Sequence, residues 1–441
     1  MTISIVLEFV VVLAAIWMGA RSSGVGLGLW GAVGLLILMV GFGVTPTSPP
    51  IDVMLIILAV IMAASVMDAA GGIDFLVRIA ESVIRANPKY VTIVAPLTTW
   101  AFTFVAGTGH IVYPLLPVIY ETAHQNGIRP ERPMAIATIA SQQAITASPV
   151  AAATAAMIGL FSEKGLTQWG LPQILMICVP STLIGVVVAA IISMFLGKDL
   201  KDDPEYQARL KSGAIPQPKA AAERPPLKAG ATLSAGLFLI AVVLVVLFGF
   251  FPALRQLPGA KGPLAMPIVI EIVMLAVAAV MLVATKVPVD EVPKTATLRA
   301  GVVAVVGIFG LAWLGDSFIG ANQAVIVPAI GHMTEAAPWT FAFGLFFASV
   351  LLYSQAATTR ALMPLGLALG IPPQFLIAMF PSVNGYFFIP TYGTLIAAIN
   401  FDLSGTTKIG KYVVDHSFMI PGFVSTFVAV LTGLVIAKLV F

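Results

Sequence analysis

Residues 104–114 read FVAGTGHIVYP and place two glycines, a threonine and a histidine inside an otherwise apolar stretch. The chain around them has 441 residues, of which 59% are hydrophobic and 10% charged, whereas soluble proteins carry about 25% charged residues. Unpaired backbone at membrane depth is tolerated only where protein or a water-filled cavity covers it. The stretch therefore predicts a polar site inside a membrane protein.

Long apolar runs recur along the chain and predict transmembrane helices, since a bilayer is spanned by about 20 helical residues. The first run lacks a basic n-region and a convincing cleavage site, so we interpret it as a retained helix and not as a signal peptide. The runs are Ile3–Ala20, Val53–Met67, Ile174–Leu196, Leu233–Phe251, Ile268–Thr285 and Phe423–Phe441.

Basic residues predict the orientation, because Lys and Arg of short loops collect on the cytoplasmic side. If the N-terminus is outside, most of the 23 Lys and Arg fall inside, including those of the polar linker 197–228. Both termini are then outside. The linker is rich in Pro and Ala, and it divides the chain into a first half, 1–196, and a second half, 229–441.

The two halves share a register of polar positions. Gly107 lies 39 residues after Asp68, and Ser354 lies 38 residues after Asp316. Secondary transporters are often inverted repeats that show such weak internal symmetry. We therefore predict an all-α polytopic membrane protein made of two inverted repeats. Each has three long helices, an amphipathic surface segment (Ile73–Ala86 in the first), a re-entrant hairpin, a broken helix and a closing helix.

Four polar interruptions, at residues 107–110, 142–149, 354–360 and 384–394, predict one central site. Half-helix N-termini direct backbone N–H groups at the space between them, which favours anions. A linear dianion with a carboxylate at each end would suit two opposed halves. The candidate substrate-binding residues are Gly107, Thr108, Gly109, His110, Gln142, Gln143, Thr146, Ser148, Ser354, Gln355, Thr358, Thr359, Arg360, Asn384, Thr391, Tyr392 and Thr394.

Several charged candidates have two interpretations at this stage. Arg360 is either a functional charge at membrane depth or a side chain that reaches the outer surface. His110 either donates to a carboxylate and relays protons, or packs as a neutral side chain. Asp68 and Asp316 either cap helices, which we favour, or bind a cation or proton. Three basic residues lie at the inner mouth, namely Arg85, Arg129 and Arg132. They either reflect only the excess of positive charge on the cytoplasmic side or form a cytoplasmic pathway for anions.

The sequence excludes several other functions. The single cysteine, Cys178, rules out disulfides and thiolate metal sites. There is no Walker-type phosphate loop, GxSxG elbow or HExxH motif, so an enzyme is not expected. We expect no metal, no organic cofactor and no nucleic acid partner. Na⁺ or H⁺ remains open as a coupling ion.

Specific motifs resemble the anaerobic four-carbon dicarboxylate transporter (Dcu) family of bacteria, in its A- and B-type branches. They include AGTGHIVY at 106–113, IRPERPMA at 128–135, ITASPV at 145–150, IPTYGT at 389–394 and FDLSGTTKIG at 401–410. The resemblance runs in order over nearly the whole chain. It implies a carrier of the cell inner membrane that exchanges fumarate, succinate, malate and aspartate. In that membrane the two termini, which the basic residues place outside, are periplasmic. The resemblance also implies an elevator-type fold of the ion-transporter superfamily.

Carried over by residue, the family pattern puts the hairpin tips at Gly107–His110 and Ser354–Thr359. The broken helices then lie at Thr146–Pro149 and Pro390–Thr394. Two positions depart from the pattern, since Gly393 replaces a common proline and Arg360 stands where relatives have Lys or a small residue. The alternatives are an ion-coupled symporter and, from another class, a membrane partner of a sensor kinase. A homo-oligomer is compatible with the sequence.

Overall fold

The computed structural model describes residues 3–22, 25–49, 51–215, 226–260, 262–336, 338–352, 354–390, 392–412 and 415–441. Across these residues the chain is helical, with one isolated bridge between Ile409 and His416. Seven of the described helical segments are long and apolar enough to cross a membrane, judged by length and composition, and two of them, Glu131–Glu163 and Ala296–Asn322, join consecutive helices. This confirms the prediction of an all-helical, multi-pass membrane protein.

Among the described residues of the first half, nine α-helices precede the linker. Most are apolar on every side, and α4 is the amphipathic exception, as its mixed sequence predicts. Their bounds are α1 Ile3–Ser22, α2 Gly26–Phe42, α3 Ile51–Ala69, α4 Gly72–Ala86, α5 Val91–Ala106, α6 Leu116–Gln125, α7 Glu131–Gln143, α8 Ala152–Glu163 and α9 Leu171–Ser193.

In the described part of the remaining chain, one short α-helix lies in the linker and nine more follow it. Between α13 and α14 the chain forms a π-helical turn at Ile308–Ala312. The bounds are α10 Pro204–Lys211, α11 Ala231–Phe250, α12 Met266–Thr285, α13 Ala296–Gly307, α14 Trp313–Ala336, α15 Phe341–Leu352, α16 Gln355–Ala368, α17 Pro373–Met379, α18 Gly393–Phe401 and α19 Met419–Val440.

The helices pack in two groups. The framework bundle consists of α1–α3 and α11–α14, in which α1 packs on α2, α12 on α3 and α11, and α2 on the π-helical turn. The site bundle consists of α5–α9 and α15–α19, in which α9 packs along α19 and α5 along α7. Helix α4 contacts α11 of the first group and α5 of the second. The site bundle holds every interruption that the sequence singles out.

The two ends of the bundles can be identified from their contacts. At the end called the linker face, Arg129 binds the carbonyl of Lys198 at 3.2 Å, and His124 Nε2 lies 2.9 Å from the hydroxyl of Tyr206. At the opposite face, the ring centroids of Trp169 and Phe441 are 5.2 Å apart. Helix α9 therefore runs from the opposite face to the linker face.

Candidate substrate site

The first hairpin tip joins α5 to a 3₁₀ helix at Gly109–Leu115. Gly107 ends α5 with φ +71°, in the left-handed region that favours glycine. A Cβ atom there would lie 2.7 Å from the carbonyl oxygen of Val150. Thr108 then begins the 3₁₀ helix, and its Oγ1 accepts from the amide of His110 at 3.3 Å. The tip is a sharp turn packed closely on the start of α8.

The second hairpin tip begins α16 with a side-chain cap. Ser354 Oγ accepts from the amide of Ala357 at 3.2 Å. The hydroxyl of Thr358 donates to the Ser354 carbonyl at 2.8 Å, and that of Thr359 donates to the Gln355 carbonyl at 2.7 Å. The hydroxyls of these two threonines are therefore bonded within their own helix. The side chain of Gln355 instead contacts other helices.

The first broken helix bends between α7 and α8. Thr146 Oγ1 donates to the Gln143 carbonyl at 3.0 Å, which closes the last turn. Ser148 Oγ donates to the Phe104 carbonyl at 2.7 Å and so attaches the break to α5. Both hydroxyls therefore donate to backbone carbonyls, as Ser and Thr commonly do in membrane helices.

The second broken helix bends between α17 and α18. Asn384 and Thr394 are both buried, and no described atom partners Thr394 Oγ1. The rings of Tyr392 and Tyr386 are tilted against each other, with their centroids 4.8 Å apart. Thr391 lies outside the described residues. The glycine at 393 fits its surroundings, because a Cβ there would lie 2.5 Å from the Tyr113 hydroxyl.

A chain of side-chain amides connects both broken helices to the second tip. Gln355 Nε2 donates to Gln142 Oε1 at 3.0 Å and to Asn384 Oδ1 at 3.2 Å. Asn384 Nδ2 donates to Gln143 Oε1 at 3.2 Å, and Gln143 Nε2 donates to Thr426 Oγ1 of α19 at 2.7 Å. Buried polar networks of this kind fix one arrangement when each member is satisfied.

One donor of the amide chain lacks a hydrogen-bond acceptor. Gln142 is fully buried, and none of the described groups accepts from its Nε2. A Cβ at Gly109 would lie 2.3 Å from that nitrogen, so the glycine keeps the first tip close to it. A buried unsatisfied donor costs about 1–3 kcal/mol, and so it points to a ligand that supplies an acceptor.

A cavity of about 790 Å³ lies where the two tips meet. It extends to the linker-face ends of α3 and α13, where Asp68, Thr297 and Arg299 line it. Asp68 accepts from the Thr297 hydroxyl at 2.7 Å. The candidate residues that line the cavity are Gly107, Thr108, Gly109, His110, Gln142, Ser354, Gln355 and Tyr392.

The remaining described candidates do not line this cavity. Gln143 and Asn384 lie behind it in the amide chain, and Arg360 is held in ion pairs. Five buried hydroxyl residues pack within the site bundle, namely Thr146, Ser148, Thr358, Thr359 and Thr394. Sequence reasoning missed Tyr113 and Arg299 as lining residues. Tyr113 stands in the quoted tip sequence, whereas Arg299 contributes only to the cytoplasmic charge bias and carries no other local signal.

Arg360 reaches neither surface of the bundle. Its side chain is 2% exposed, and it donates to Glu163 at 2.8 Å and to Asp316 at 3.2 Å. Both carboxylates lie toward the opposite face, beyond the second tip. Asp316 is therefore an ion-pair partner of Arg360.

The three basic residues of the expected inner pathway are held in contacts at the linker face. Arg129 pairs with Glu131 and Asp203, and Arg132 binds the Leu196 carbonyl at 2.8 Å. Burial alone would raise the pKa of Asp203, but hydrogen bonds from Arg129 and from backbone amides outweigh it and lower that pKa. Arg85 pairs with Glu121 at 2.9 Å.

Comparison with known proteins places the chain in a family. The family model described as "Anaerobic c4-dicarboxylate membrane transporter" matches residues 4–441. The chain is 41% identical over 435 residues to the C4-dicarboxylate transporter DcuA of Escherichia coli K12, covering 98% of the chain and 99% of that relative. It is 40% identical over 441 residues to DcuA of Wolinella succinogenes, covering 99% of each. It is 39% identical over 442 residues to the anaerobic C4-dicarboxylate transporter DcuB of E. coli O6:H1, covering 98% of each.

A solved structure shares the fold at low sequence identity. The Alcanivorax borkumensis YdaH transporter aligns with a TM-score of 0.59 at 13% identity, over 92% of this chain and 87% of that one. The full-length identity to the Dcu proteins carries the stronger conclusion. The chain belongs to the anaerobic C4-dicarboxylate membrane transporter family, and its role is not enzymatic.

Proposed function

We propose that this chain exchanges C4-dicarboxylates, such as fumarate, succinate, malate and aspartate, across the bacterial inner membrane by alternating access. The observation that carries the proposal is the unpartnered Nε2 of Gln142 at the cavity wall, between the two hairpin tips. An ionised carboxylate is the acceptor that gains most from such a donor, because charge-assisted hydrogen bonds are the stronger ones. The names of the relatives point to the same chemical class.

The wall near the tips suits an anion in other ways. The first N–H groups of a helix lack intrahelical acceptors and carry partial positive charge. Here α16 begins at Gln355 and a 3₁₀ helix begins at Gly109, both at the cavity. Asp68, the carboxylate of the lining, sits at the linker-face end and is bound by Thr297. Two tips from opposite directions give each carboxylate of a linear dianion its own set of donors.

The order of elements supports the inverted-repeat part of the proposal. Helix α5, the first tip and α6 precede a broken helix, α7–α8, and a long closing helix, α9. In the second half α15, the second tip and α16 precede α17–α18 and α19 in the same order. The chain runs to the first tip along α5 from the linker face, and to the second tip along α15 from the opposite face. On this basis we assign residues 1–196 and 229–441 to two inverted repeats joined by the linker 197–228.

Alternating access follows if the site bundle moves against the framework bundle. The cavity reaches the linker face, where the basic residues of the linker collect, and this face is cytoplasmic in our proposal, with both termini periplasmic. The structure would then represent the state open to the cytoplasm, and an elevator-like displacement would open the same site to the periplasm.

Reconstitution tests the proposal. Purified protein in liposomes preloaded with labelled succinate should release label when fumarate, malate or aspartate is added outside, and butyrate, which lacks the second carboxylate, should release none. Absence of exchange with all three external dicarboxylates would overturn the proposal. Uptake into empty liposomes that requires an imposed Na⁺ or pH gradient would replace exchange by ion-coupled symport.

A further inference from the structure

Arg360 and two carboxylates form an ion cluster between the cavity and the opposite face. Arg360 lies six residues beyond Ser354 on α16, which places it about 9 Å along the helix from the second tip. Glu163 ends α8, which packs against α16 in the site bundle. Asp316 belongs to α14 of the framework bundle, just after the π-helical turn. The Arg360–Asp316 pair therefore crosses between the two bundles.

The cluster is built so that one carboxylate can leave. Arg360 pairs with two carboxylates, so releasing Asp316 still leaves the buried guanidinium paired with Glu163. The Glu163 contact is the shorter, at 2.8 Å against 3.2 Å, and it lies within one bundle. Movement between the bundles would break the Asp316 contact and keep the Glu163 contact.

Arg360 also has binding capacity that its partners do not use. A guanidinium carries five N–H donors, and among the described residues nothing accepts from its fully buried Nε. Once Asp316 withdraws, Nη2 and Nε both lack acceptors. They would then face the path by which an anion travels from the opposite face to the second tip.

We propose that Arg360 is a carboxylate-binding site used only from the opposite face. Asp316 occupies this site while the cavity is open to the linker face, and a substrate carboxylate replaces Asp316 when the cavity opens to the other side. This inference rests on the proposed function. It explains why a charged side chain at membrane depth lies outside the cavity lining in this state.

The test compares the two faces of the membrane. Right-side-out and everted membrane vesicles from cells that produce the full chain give the KM for labelled succinate exchange at each face. Arg360→Gln should raise the KM at the face opposite the linker about tenfold relative to that at the linker face, as expected for one lost charge-assisted hydrogen bond. Arg360→Lys should recover part of that loss.

Asp316→Asn removes the competing carboxylate and should change the KM in the other direction. It should lower the KM at the opposite face, because the substrate no longer displaces an anionic partner. Lys438→Gln, a loss of positive charge at the exposed end of α19 near the opposite face, should leave the ratio of the two KM values unchanged.

The outcomes separate the two proposals. Equal effects of Arg360→Gln at both faces, or a rise in the KM at the opposite face with Asp316→Asn, would show a structural ion pair and overturn the carboxylate site. Should Arg360→Gln fail to reach the membrane, the sign of the Asp316→Asn effect decides. Wild-type vesicles without exchange in either orientation would instead overturn the proposed function.

Discussion

The two hairpin tips face the same cavity but are shaped by different means. The first turns through the left-handed Gly107 and keeps Gly109 against Gln142, so its form depends on the absence of side chains. The second starts with the cap of Ser354 and extends Gln355 into the amide chain, so its form depends on hydrogen bonds.

The difference implies unequal tolerance of the tips to substitution. A missing hydrogen bond can be replaced by water in a polar cavity, whereas a Cβ atom in closed space has to displace backbone. The first tip should therefore be the more fragile, and the second should lose affinity gradually. The variants below test this ranking.

The largest effect is expected from Gly107→Ala. The added Cβ would meet the Val150 carbonyl at 2.7 Å, and alanine would also pay about 1–2 kcal/mol for the left-handed conformation. We expect loss of most succinate exchange in liposomes. Gly127→Ala is the matched control, because Gly127 has φ +68° with nothing within 4 Å of a Cβ, and it should retain exchange. Equal loss in both variants would contradict the role of the contact with α8.

A smaller effect is expected where the first broken helix meets both tips, at Gln142. Gln142→Leu removes the unpartnered donor and should raise the KM for succinate about tenfold, as for one hydrogen bond to a charged group. Gln142→Glu keeps an acceptor for Gln355 but adds a negative charge beside the substrate, and it should raise the KM further.

Exchange measurements on both variants, over a range of succinate concentrations, check this ordering. Gln142→Glu with a KM near that of the wild type would place the substrate carboxylates elsewhere. Gln142→Leu with unchanged KM but reduced maximal rate would indicate that the amide chain serves movement and not binding.

The sequence predicted the positions of these elements better than their contacts. The apolar runs and the glycine-rich stretch at 104–114 place the helices and the first tip, because helix period and turn residues are local properties. The pairing of Gln142 with Gln355 joins residues 213 positions apart, and that of Arg360 with Glu163 joins residues 197 apart. Such contacts depend on how the halves pack, which no local pattern specifies.

The hydrogen-bond partners of hydroxyl side chains are also hard to predict from the sequence. Thr358 and Thr359 stand in a polar tip sequence, yet their hydroxyls bond carbonyls one turn earlier in α16. Whether a threonine in a membrane helix turns to its own backbone or to a cavity depends on which helix face it occupies. The face is set by the start of α16 at Ser354, which the sequence fixes only to within a few residues.

The smallest effect is expected from Ser354→Ala at the second tip. The change removes the cap on the Ala357 amide, and the loss of such a cap costs about 0.5–2 kcal/mol. Water in the cavity can hydrate the freed amide, so we expect a lower melting temperature in detergent and a KM for succinate raised by less than in Gln142→Leu. Ser354→Thr keeps a capping hydroxyl and should restore both values toward those of the wild type. A loss of exchange as complete as in Gly107→Ala would reverse the ranking of the tips, because it would mean that the second tip holds the substrate through the serine itself.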